Sequence, residues 1–449
     1  MLKSNDNIPD RAYPSRMFLE VTTRCNLHCK MCVRHNGDNV IASGDLSDST
    51  FELLKPAIAG LDEVIISGIG EPLLHPRLEA IICAIKADLP AYGTVGLQTN
   101  GTLLNHRRIE RLLSVDLDTI CISVDAVTSD LLGSIRVGAQ FGQLERALAL
   151  LGEVKAQSRC SSPSIGIQFV LMQDNLRHLP KLLQWAGRLG VDFAIVSHQL
   201  PFDLAMSEKV VYRSISDAAM EHYQEWEKKI ARAGLYIKDY PTASMKFYKK
   251  RTTDENRLIA MVETMKADGQ RKDISLNLAA LMAPKERWVS QVDAVFAKAL
   301  TFAKASGIDL ILPSRQPAHA RQCSFIEEDC VFVDWQGAIF PCHFTWHQYA
   351  CYPEGRRKIV QPLCFGHLES TPLLEIWNGR DFRIFRKSVR QYDYPYCGDC
   401  GLSPCDYIDR TIFEHDCNTN TVPCCDCPWP TGVLNCLQQC RESNMENRS

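Results

Sequence analysis

The 449-residue chain lacks the features of membrane, exported and nucleic-acid-binding proteins. It has no run of about 18 apolar residues, which excludes a membrane-spanning helix. Its first residues, MLKSNDNIPDRAYPSR, have no apolar core and so do not predict a signal peptide. The formal net charge is −3, and no excess of basic residues favours binding to a nucleic-acid backbone. These absences predict a cytoplasmic protein without a membrane or nucleic-acid partner.

Cysteine, by contrast, is abundant, with 20 residues. Without an export signal, a disulfide framework is not expected, and clustered thiols in a reducing compartment indicate metal binding. Three thiols fall in one early loop, and fourteen lie between Cys323 and Cys440. The other three, Cys83, Cys121 and Cys160, are scattered and are predicted to be ordinary buried or surface thiols. The distribution therefore predicts two separate metal-binding regions.

The early loop, Cys25–Cys32, holds its three thiols in C-x3-C-x2-C spacing. The apolar segment Met17–Val21 precedes it and predicts a strand, so the loop lies at a strand end, where α/β folds place ligand sites. Three closely spaced thiolates are typical of an iron–sulfur cluster, and a four-iron cluster held by three cysteines leaves one iron open. The alternatives are three buried thiols, or a zinc site completed by His28 or His35.

Strand and helix signals alternate from this loop to about residue 200, a pattern typical of a parallel α/β fold. The predicted strands are Met17–Val21, Glu63–Ser67, Thr94–Gln98, Asp118–Val124, Ile165–Met172 and Val191–Ser197. The predicted helices are Thr50–Leu61, Pro76–Lys86, Asn105–Ser114, Phe141–Val154 and Leu176–Leu189. Because the carboxyl ends of barrel strands share one face, we expect the loops after these strands to converge.

Several of those loops carry candidate binding residues. The turn Gly68–Pro72 follows the second strand, its glycines allow a ligand to approach the backbone closely, and Glu71 offers a carboxylate suited to an ammonium group. Asn100, Ser123 and Asp125 follow the next two strands. The structural alternative for Asn100 and Asp125 is ordinary turn chemistry.

Composition divides the chain into four predicted segments: a tail (1–15), a barrel (16–200), a helical insertion (201–310) and a Cys-rich domain (311–449). The insertion is either packed on the outside of the barrel or acts as a substrate lid. The Cys-rich domain has ordered spacings, among them G-x4-C ending at Cys342 and C-x2-C-x4-C beginning at Cys397. Zinc ribbons are the alternative to iron–sulfur clusters there, since paired C-x2-C units serve both.

The first half of the chain, roughly residues 16–200, resembles the radical S-adenosylmethionine (SAM) superfamily. The motifs that carry the resemblance are Cys25-x3-Cys29-x2-Cys32, Gly68-x-Gly70-Glu71-Pro72, Thr99–Leu104, Ser123–Asp125 and Ile135-Arg136-x-Gly138. The resemblance implies an α/β fold with a partial (β/α)6 TIM-like barrel.

The resemblance also implies a 4Fe–4S cluster held by Cys25, Cys29 and Cys32, whose open iron binds SAM. One electron then cleaves SAM to methionine and a 5′-deoxyadenosyl radical, which abstracts a substrate hydrogen. The residues that the resemblance places around SAM are Gly68, Gly70 and Glu71 at the methionine ammonium, Ser123 and Arg136 at the carboxylate, and Asn100 and Asp125 as further members.

The Cys-rich domain resembles the SPASM extension, which carries two auxiliary 4Fe–4S clusters. The resemblance assigns Cys323, Cys330 and Cys342 to the first cluster, and Cys397, Cys400 and Cys405 to the second. The remaining ligands would come from Cys417, Cys424, Cys427 and Cys436, and the sequence leaves their partition, with that of Cys425 and Cys440, open. The run Cys424–Cys436 is also similar to SPASM proteins linked to tungsten-cofactor enzymes.

The predicted function is therefore a radical SAM oxidoreductase or maturase that acts on a small molecule, a cofactor precursor or a peptide. A reductase such as flavodoxin or ferredoxin is the expected electron donor. The alternative is a non-catalytic iron–sulfur or zinc protein for electron transfer or sensing. His198, His343 and the acidic cluster Glu327–Asp329 are candidates for a general base, each more readily explained as a surface or structural residue.

Overall fold

The computed structural model describes residues 11–35, 41–158, 162–246, 249–283, 288–391, 396–402, 405, 407 and 410–437, which form a mixed α/β fold. The strands are β1 (Arg16–Leu19), β2 (His28–Cys29), β3 (Glu63–Ile66), β4 (Thr94–Thr99), β5 (Thr119–Ser123), β6 (Arg136–Val137), β7 (Ser164–Leu171), β8 (Phe193–His198), β9 (Asp309–Ile311), β10 (Cys330–Val333), β11 (Ala338–Phe340), β12 (Tyr349–Cys351), β13 (Lys358–Val360) and β14 (Gly366–His367).

The helices of the barrel region are α1 (Asp48–Ile58), α2 (Leu78–Asp88), α3 (His106–Ser114), α4 (Ser129–Ile135), α5 (Phe141–Ser158) and α6 (Leu179–Arg188). The later helices are α7 (Leu204–Ser207), α8 (Asp217–Arg232), α9 (Tyr240–Ser244), α10 (Thr253–Arg271), α11 (Leu278–Met282), α12 (Trp288–Ser306), α13 (Ser324–Glu327), α14 (Leu373–Asn378) and α15 (Arg380–Gln391). Among these described helices, none combines the length and apolar character that a membrane span needs.

One ten-stranded sheet organises the fold, in the order β14-β11-β10-β1-β3-β4-β5-β7-β8-β9. All strands from β10 to β9 in this order run parallel. Six of them, β1, β3, β4, β5, β7 and β8, are the strands that the sequence predicts, so the partial (β/α)6 barrel is confirmed. Strands covered on both faces consist largely of apolar residues, as in β3, where all four residues are buried.

The helical region after β8 forms two parts rather than the single insertion predicted for residues 201–310. Helices α8 and α10 enclose a small core of their own, which runs from Ile215 to Leu281. Helix α12, however, packs on α6, and β9 pairs with β8. Residues 288–311 therefore extend the α/β pattern of the barrel.

The Cys-rich region shares the sheet and the core of the barrel. Strand β10 lies beside β1, so that Cys330 pairs with Arg16. The segment Thr431–Leu437, which we call the C-terminal segment, lies along β8: His198 N donates to Val433 O (3.3 Å), and Asn435 Nδ2 donates to Val196 O (2.9 Å). Strand β4 faces it too, because a Cβ atom on Gly96 would lie 3.5 Å from a methyl of Leu437. We call this side of the sheet the inner face.

Candidate active site

The Cys25–Cys32 loop is held by a short two-stranded ribbon at the top of the barrel. Within it, β2 pairs antiparallel with β6, so that Cys29 lies opposite Arg136. Lys30 N donates to Ile135 O (2.9 Å), and Cys32 N donates to Cys29 O (3.1 Å). The ribbon therefore fixes the loop to the end of α4, a helix that the sequence analysis did not predict.

The three loop thiols lie close enough for the charge of one to change the pKa of another. Burial, with smaller contributions from the neighbouring Cys29 and Cys25, raises the pKa of the Cys32 thiol to about 11. Burial likewise raises the pKa values of Cys25 and Cys29. Thiolates are the form that binds metal, so metal binding here is coupled to release of protons. The loop thus brings three thiols together, the number that an open-iron cluster requires.

A zinc site completed by His35 is disfavoured. The Nε2 atom of His35 lies 3.0 Å from Leu27 O, and the His28 and His35 rings pack at 4.6 Å. In the part of the chain that the structure describes, no three Cys, His, Asp or Glu side chains stand close enough to hold a single metal ion.

A polar clasp joins the loop to the end of β4. Asn100 Nδ2 donates to Asn26 Oδ1 (2.9 Å), and Asn26 Nδ2 donates to Thr102 Oγ1 (2.9 Å). Asn100 Nδ2 also lies 3.9 Å from Cys25 Sγ. Asn100 is therefore beside the predicted cluster site, whereas Asn26 is a site residue that the sequence analysis missed. Its only signal is a polar side chain directly after Cys25.

The glycine turn after β3 packs against the chain that leads into the Cys loop. A Cβ atom on Gly70 would lie 2.2 Å from Thr22 O and 2.7 Å from Arg24 O. Glu71 N donates to Arg24 O (2.7 Å). The close approach that glycine allows at position 70 is therefore an approach of protein backbone, and the turn supports the loop directly.

Replacing Gly70 with alanine should accordingly disrupt both turn and loop. A Cβ atom cannot remain 2.2 Å from a backbone oxygen, so the Thr22–Cys25 segment must shift, at a cost of about 3 kcal/mol. We expect lower iron content and roughly tenfold weaker SAM binding, both measured on anaerobically reconstituted protein. Gly142→Ala is the control, since its added Cβ meets only an arginine side chain at 3.6 Å. Normal SAM binding by G70A would show that this packing is dispensable.

Glu71, the predicted ammonium partner, is fully engaged by the protein. It accepts hydrogen bonds from Thr99 Oγ1 (2.6 Å), Asn100 N (2.7 Å) and Leu73 N (3.0 Å). Burial raises its pKa, and these three bonds lower it. The arrangement gives Glu71 a role in joining the glycine turn to the end of β4. Its contact with an ammonium group stays a prediction.

Asp125 and Arg136 form a buried ion pair next to the loop thiols. Arg136 Nε donates to Asp125 Oδ2 (2.6 Å), and Val170 N donates to Asp125 Oδ1 (2.7 Å). Desolvation opposes the Arg136 charge, but the negative charges of Asp125 and Cys29 outweigh it and raise the Arg136 pKa. Asp125 therefore fixes the orientation of the Arg136 guanidinium. Ser123, at the end of β5, is buried and has Gln168 as its strand partner.

Four thiols of the Cys-rich region line one apolar cavity together with four aromatic rings. These thiols are Cys323, Cys342, Cys424 and Cys427, and the rings belong to Phe325, Phe344, Phe385 and Trp429. Burial raises the pKa of Cys427, and the charges of Cys424, Cys342 and Cys323 add to that rise. Four cysteines around an apolar space are the donor set of a closed 4Fe–4S cluster.

The other thiols of the Cys-rich region have further thiols as neighbours. Cys330, expected with Cys323 and Cys342, does not line the four-thiol cavity. Burial raises the pKa of Cys330, the Arg16 charge lowers it, and the charge of Cys436 raises it. Cys397 faces Cys425, whose thiol raises its pKa. The charges of Cys405 and Cys400 both raise the pKa of the Cys417 thiol. Cys160 and Cys440 lie outside the described residues. The ligand sets of the auxiliary clusters remain proposals.

The candidate bases are structural. Burial lowers the pKa values of His198 and His343 to about 3. His198 Nε2 lies 3.0 Å from Ser314 O, and the His343 ring is surrounded by aromatic rings of β1 and β10. Within the acidic cluster, Asp329 pairs with Arg390 (2.8 Å).

Two parts of the chain match known family models. Residues 19–185 match the radical SAM superfamily, and residues 323–401 match SPASM, an iron–sulfur cluster-binding domain. Both matches fall on the elements described above: the barrel with its Cys loop, and the region that contains Cys323, Cys342, Cys397 and Cys400.

Similar proteins include enzymes with cofactor and peptide substrates. The "tungsten-containing aldehyde ferredoxin oxidoreductase cofactor-modifying protein" of Pyrococcus furiosus is 27% identical over 94% of this chain and 96% of its own length. The PqqA peptide cyclase of Gluconobacter oxydans is 27% identical over 51% of this chain and 61% of its own. A solved structure, Streptococcus suis SuiB bound to S-adenosylmethionine, covers 87% of this chain and 71% of its own, with 12% identity and a TM-score of 0.48.

Proposed function

Because the chain belongs to the radical SAM superfamily and carries a SPASM domain, we propose that it modifies a small cofactor or its precursor. It is a maturase-type enzyme that binds SAM, a 4Fe–4S cluster and auxiliary iron–sulfur clusters, and not a non-catalytic electron carrier. The observation that carries the proposal is the 94% coverage by the cofactor-modifying relative, which includes the Cys-rich region. The peptide cyclase matches only half of the chain. We further propose that a ferredoxin- or flavodoxin-type reductase supplies the electron.

The Cys loop would hold the cluster that, when bound, supplies the electron for cleaving SAM. Cys25, Cys29 and Cys32 are its proposed ligands. The fit rests on three grouped thiols that the β2–β6 ribbon holds in one loop. Arg136 brings a buried positive charge to the same place, which suits a carboxylate, and Asp125 fixes its orientation.

The inner face would orient the substrate. Gly96 of β4 lies on this face, and its strand partner is Ile65 of β3. Side chains two positions apart in a strand share a face, so Gln98, two residues after Gly96, and Ser67, two residues after Ile65, also point to the inner face. Ser67 Oγ donates to Gln98 Oε1 (3.2 Å), and Gln98 bonds to Gln168. Both amides are half-buried. Carboxamides and a hydroxyl in an apolar wall can bind a polar, uncharged part of a small molecule and fix its position.

The proposal is tested with a small-molecule cofactor fraction. The fraction is extracted from a tungsten-containing aldehyde oxidoreductase made in cells that lack this chain. Reconstituted protein, SAM and reductant are added anaerobically, and 5′-deoxyadenosine and the masses of the cofactor species are measured. We expect the fraction to increase 5′-deoxyadenosine and to change in mass.

A parallel reaction with a peptide fraction from the same cells is the comparison. Stimulation by the peptide fraction alone would overturn the cofactor proposal and favour peptide maturation. A reaction that forms no 5′-deoxyadenosine under any condition would contradict SAM cleavage itself.

A further inference from the structure

Glu20 and His347 meet between the barrel and the Cys-rich region, 327 positions apart in sequence. Glu20 is the first residue after β1, and its side chain is fully buried. Its Oε1 atom accepts a hydrogen bond from Ile69 N (3.0 Å), and its Oε2 atom lies 3.2 Å from His347 Nε2. One carboxylate therefore contacts the glycine turn on one side and the Cys-rich region on the other.

On the barrel side, Glu20 is tightly packed and its backbone is hydrogen-bonded. Ile69 stands between the two glycines of the turn, and a Cβ atom on Gly68 would lie 2.7 Å from the Glu20 side chain. Glu20 N donates to Val333 O (2.9 Å), which fixes its backbone to β10. A movement of the Glu20 carboxylate would therefore be transmitted to the backbone of the turn.

The His347 side is equally fixed and leads to the four-thiol cavity. The His347 ring packs on Trp346 with 4.6 Å between centroids, and Trp346 packs edge-on against Phe332 of β10 at 4.3 Å. The loop that carries these rings begins at Cys342, one of the four thiols that line the cavity. A packed chain of contacts thus connects the turn, the carboxylate, the imidazole and the cavity.

We propose that the Glu20–His347 pair couples SAM binding at the glycine turn to the loop after Cys342, with His347 acting as a positioning residue through Glu20. The inference rests on the proposed place of SAM at the turn, but not on the identity of the substrate. Without His347, the buried carboxylate loses a partner and must find another or turn away from Ile69 N. Because coupling free energies are reciprocal, SAM binding must stabilise the ordered loop by the same free energy by which the ordered loop strengthens SAM binding.

The coupling is tested in the reconstituted holoenzyme with four variants: His347→Ala, His347→Gln, Glu20→Gln and the double variant Glu20→Gln, His347→Ala. Equilibrium dialysis with labelled SAM measures affinity, and backbone hydrogen exchange of residues 343–350 measures the order of the loop. We expect His347→Ala to weaken SAM binding about tenfold, and His347→Gln, whose amide can still donate to Glu20, to bind SAM nearly normally. Glu20→Gln together with His347→Ala should weaken binding no further than either change alone.

The loop provides the second readout. SAM should slow hydrogen exchange in residues 343–350 of the unmodified protein and of His347→Gln, but not of His347→Ala. His106→Ala is the matched control, because His106 is exposed on α3. Iron content and unfolding temperature, measured on every variant, identify a change that acts through misfolding; in that case His347→Gln and Glu20→Gln decide the question.

Two outcomes overturn the proposal in different ways. Unchanged SAM affinity in His347→Ala, while Gly70→Ala loses SAM binding, shows that the turn binds SAM without the coupling. Normal SAM binding by Gly70→Ala shows that SAM does not depend on the turn, and the premise fails with the proposal. Neither outcome depends on whether the cofactor fraction is a substrate.

Discussion

Formation of 5′-deoxyadenosine is expected to fall to background when Cys32 is replaced with alanine. Cys32 is one of only three thiols in the loop, and its neighbours Cys25 and Cys29 already serve as the other two proposed ligands. Changes in the residues around metal ligands typically cost 10- to 100-fold in affinity or activity, so loss of a ligand should cost at least about 100-fold.

Measuring the iron content shows whether Cys32→Ala loses only the cluster of the loop. Three 4Fe–4S clusters correspond to about twelve irons per chain, and we expect about eight in Cys32→Ala if the auxiliary clusters remain. Cys83→Ala is the matched control, since that thiol is exposed on α2. Turnover by Cys32→Ala at the rate of the control would contradict the ligand assignment.

Asp125→Ala should produce the largest loss of stability among single changes near the site. The substitution leaves the buried Arg136 guanidinium without its carboxylate and Val170 N without its acceptor. Removing one partner of a buried ion pair typically costs about 3–5 kcal/mol, because the remaining charge stays desolvated. We expect the midpoint of anaerobic denaturant unfolding of the cluster-free protein to fall accordingly.

Two further variants separate charge from packing in this prediction. Asp125→Asn keeps the shape and one acceptor, so it should lose less stability than Asp125→Ala. Asp130→Ala removes an exposed carboxylate in the first turn of α4, and its effect should stay within about 1 kcal/mol. Equal unfolding midpoints for Asp125→Ala and Asp130→Ala would mean that the buried pair contributes no net stability.

Local patterns in the sequence predicted the barrel and the location of its loops. Each of the six predicted strands overlaps an observed strand, with boundaries that differ by only a few residues, as for β7 (Ser164–Leu171) against the predicted 165–172. A run of apolar, β-branched residues between turn signals depends on neighbours in the chain, and those are visible in sequence. The Cys loop and the glycine turn follow strand ends for the same reason.

Contacts between distant segments were not predictable in this way. The spacing C-x2-C shows that two thiols are neighbours in the chain, but not which other segment faces them. Thus Cys424 and Cys427 join Cys323 and Cys342 around one cavity, although a long stretch of chain separates the two pairs. Glu20 and His347 gave no signal either, because each is an ordinary residue until β10 pairs with β1 and brings them together.

The pairing of β1 with β10 has a consequence for the order of folding. Arg16 is made early in synthesis and its partner Cys330 much later; at about 5–20 residues per second the interval is roughly 15 to 60 s. During that time β1 keeps an unpaired parallel edge, a known site of association between chains. Contacts this distant in sequence also form slowly. The barrel therefore completes its sheet only after β10, a strand of the Cys-rich region, has been synthesised, so the folding of the barrel depends on the start of that region.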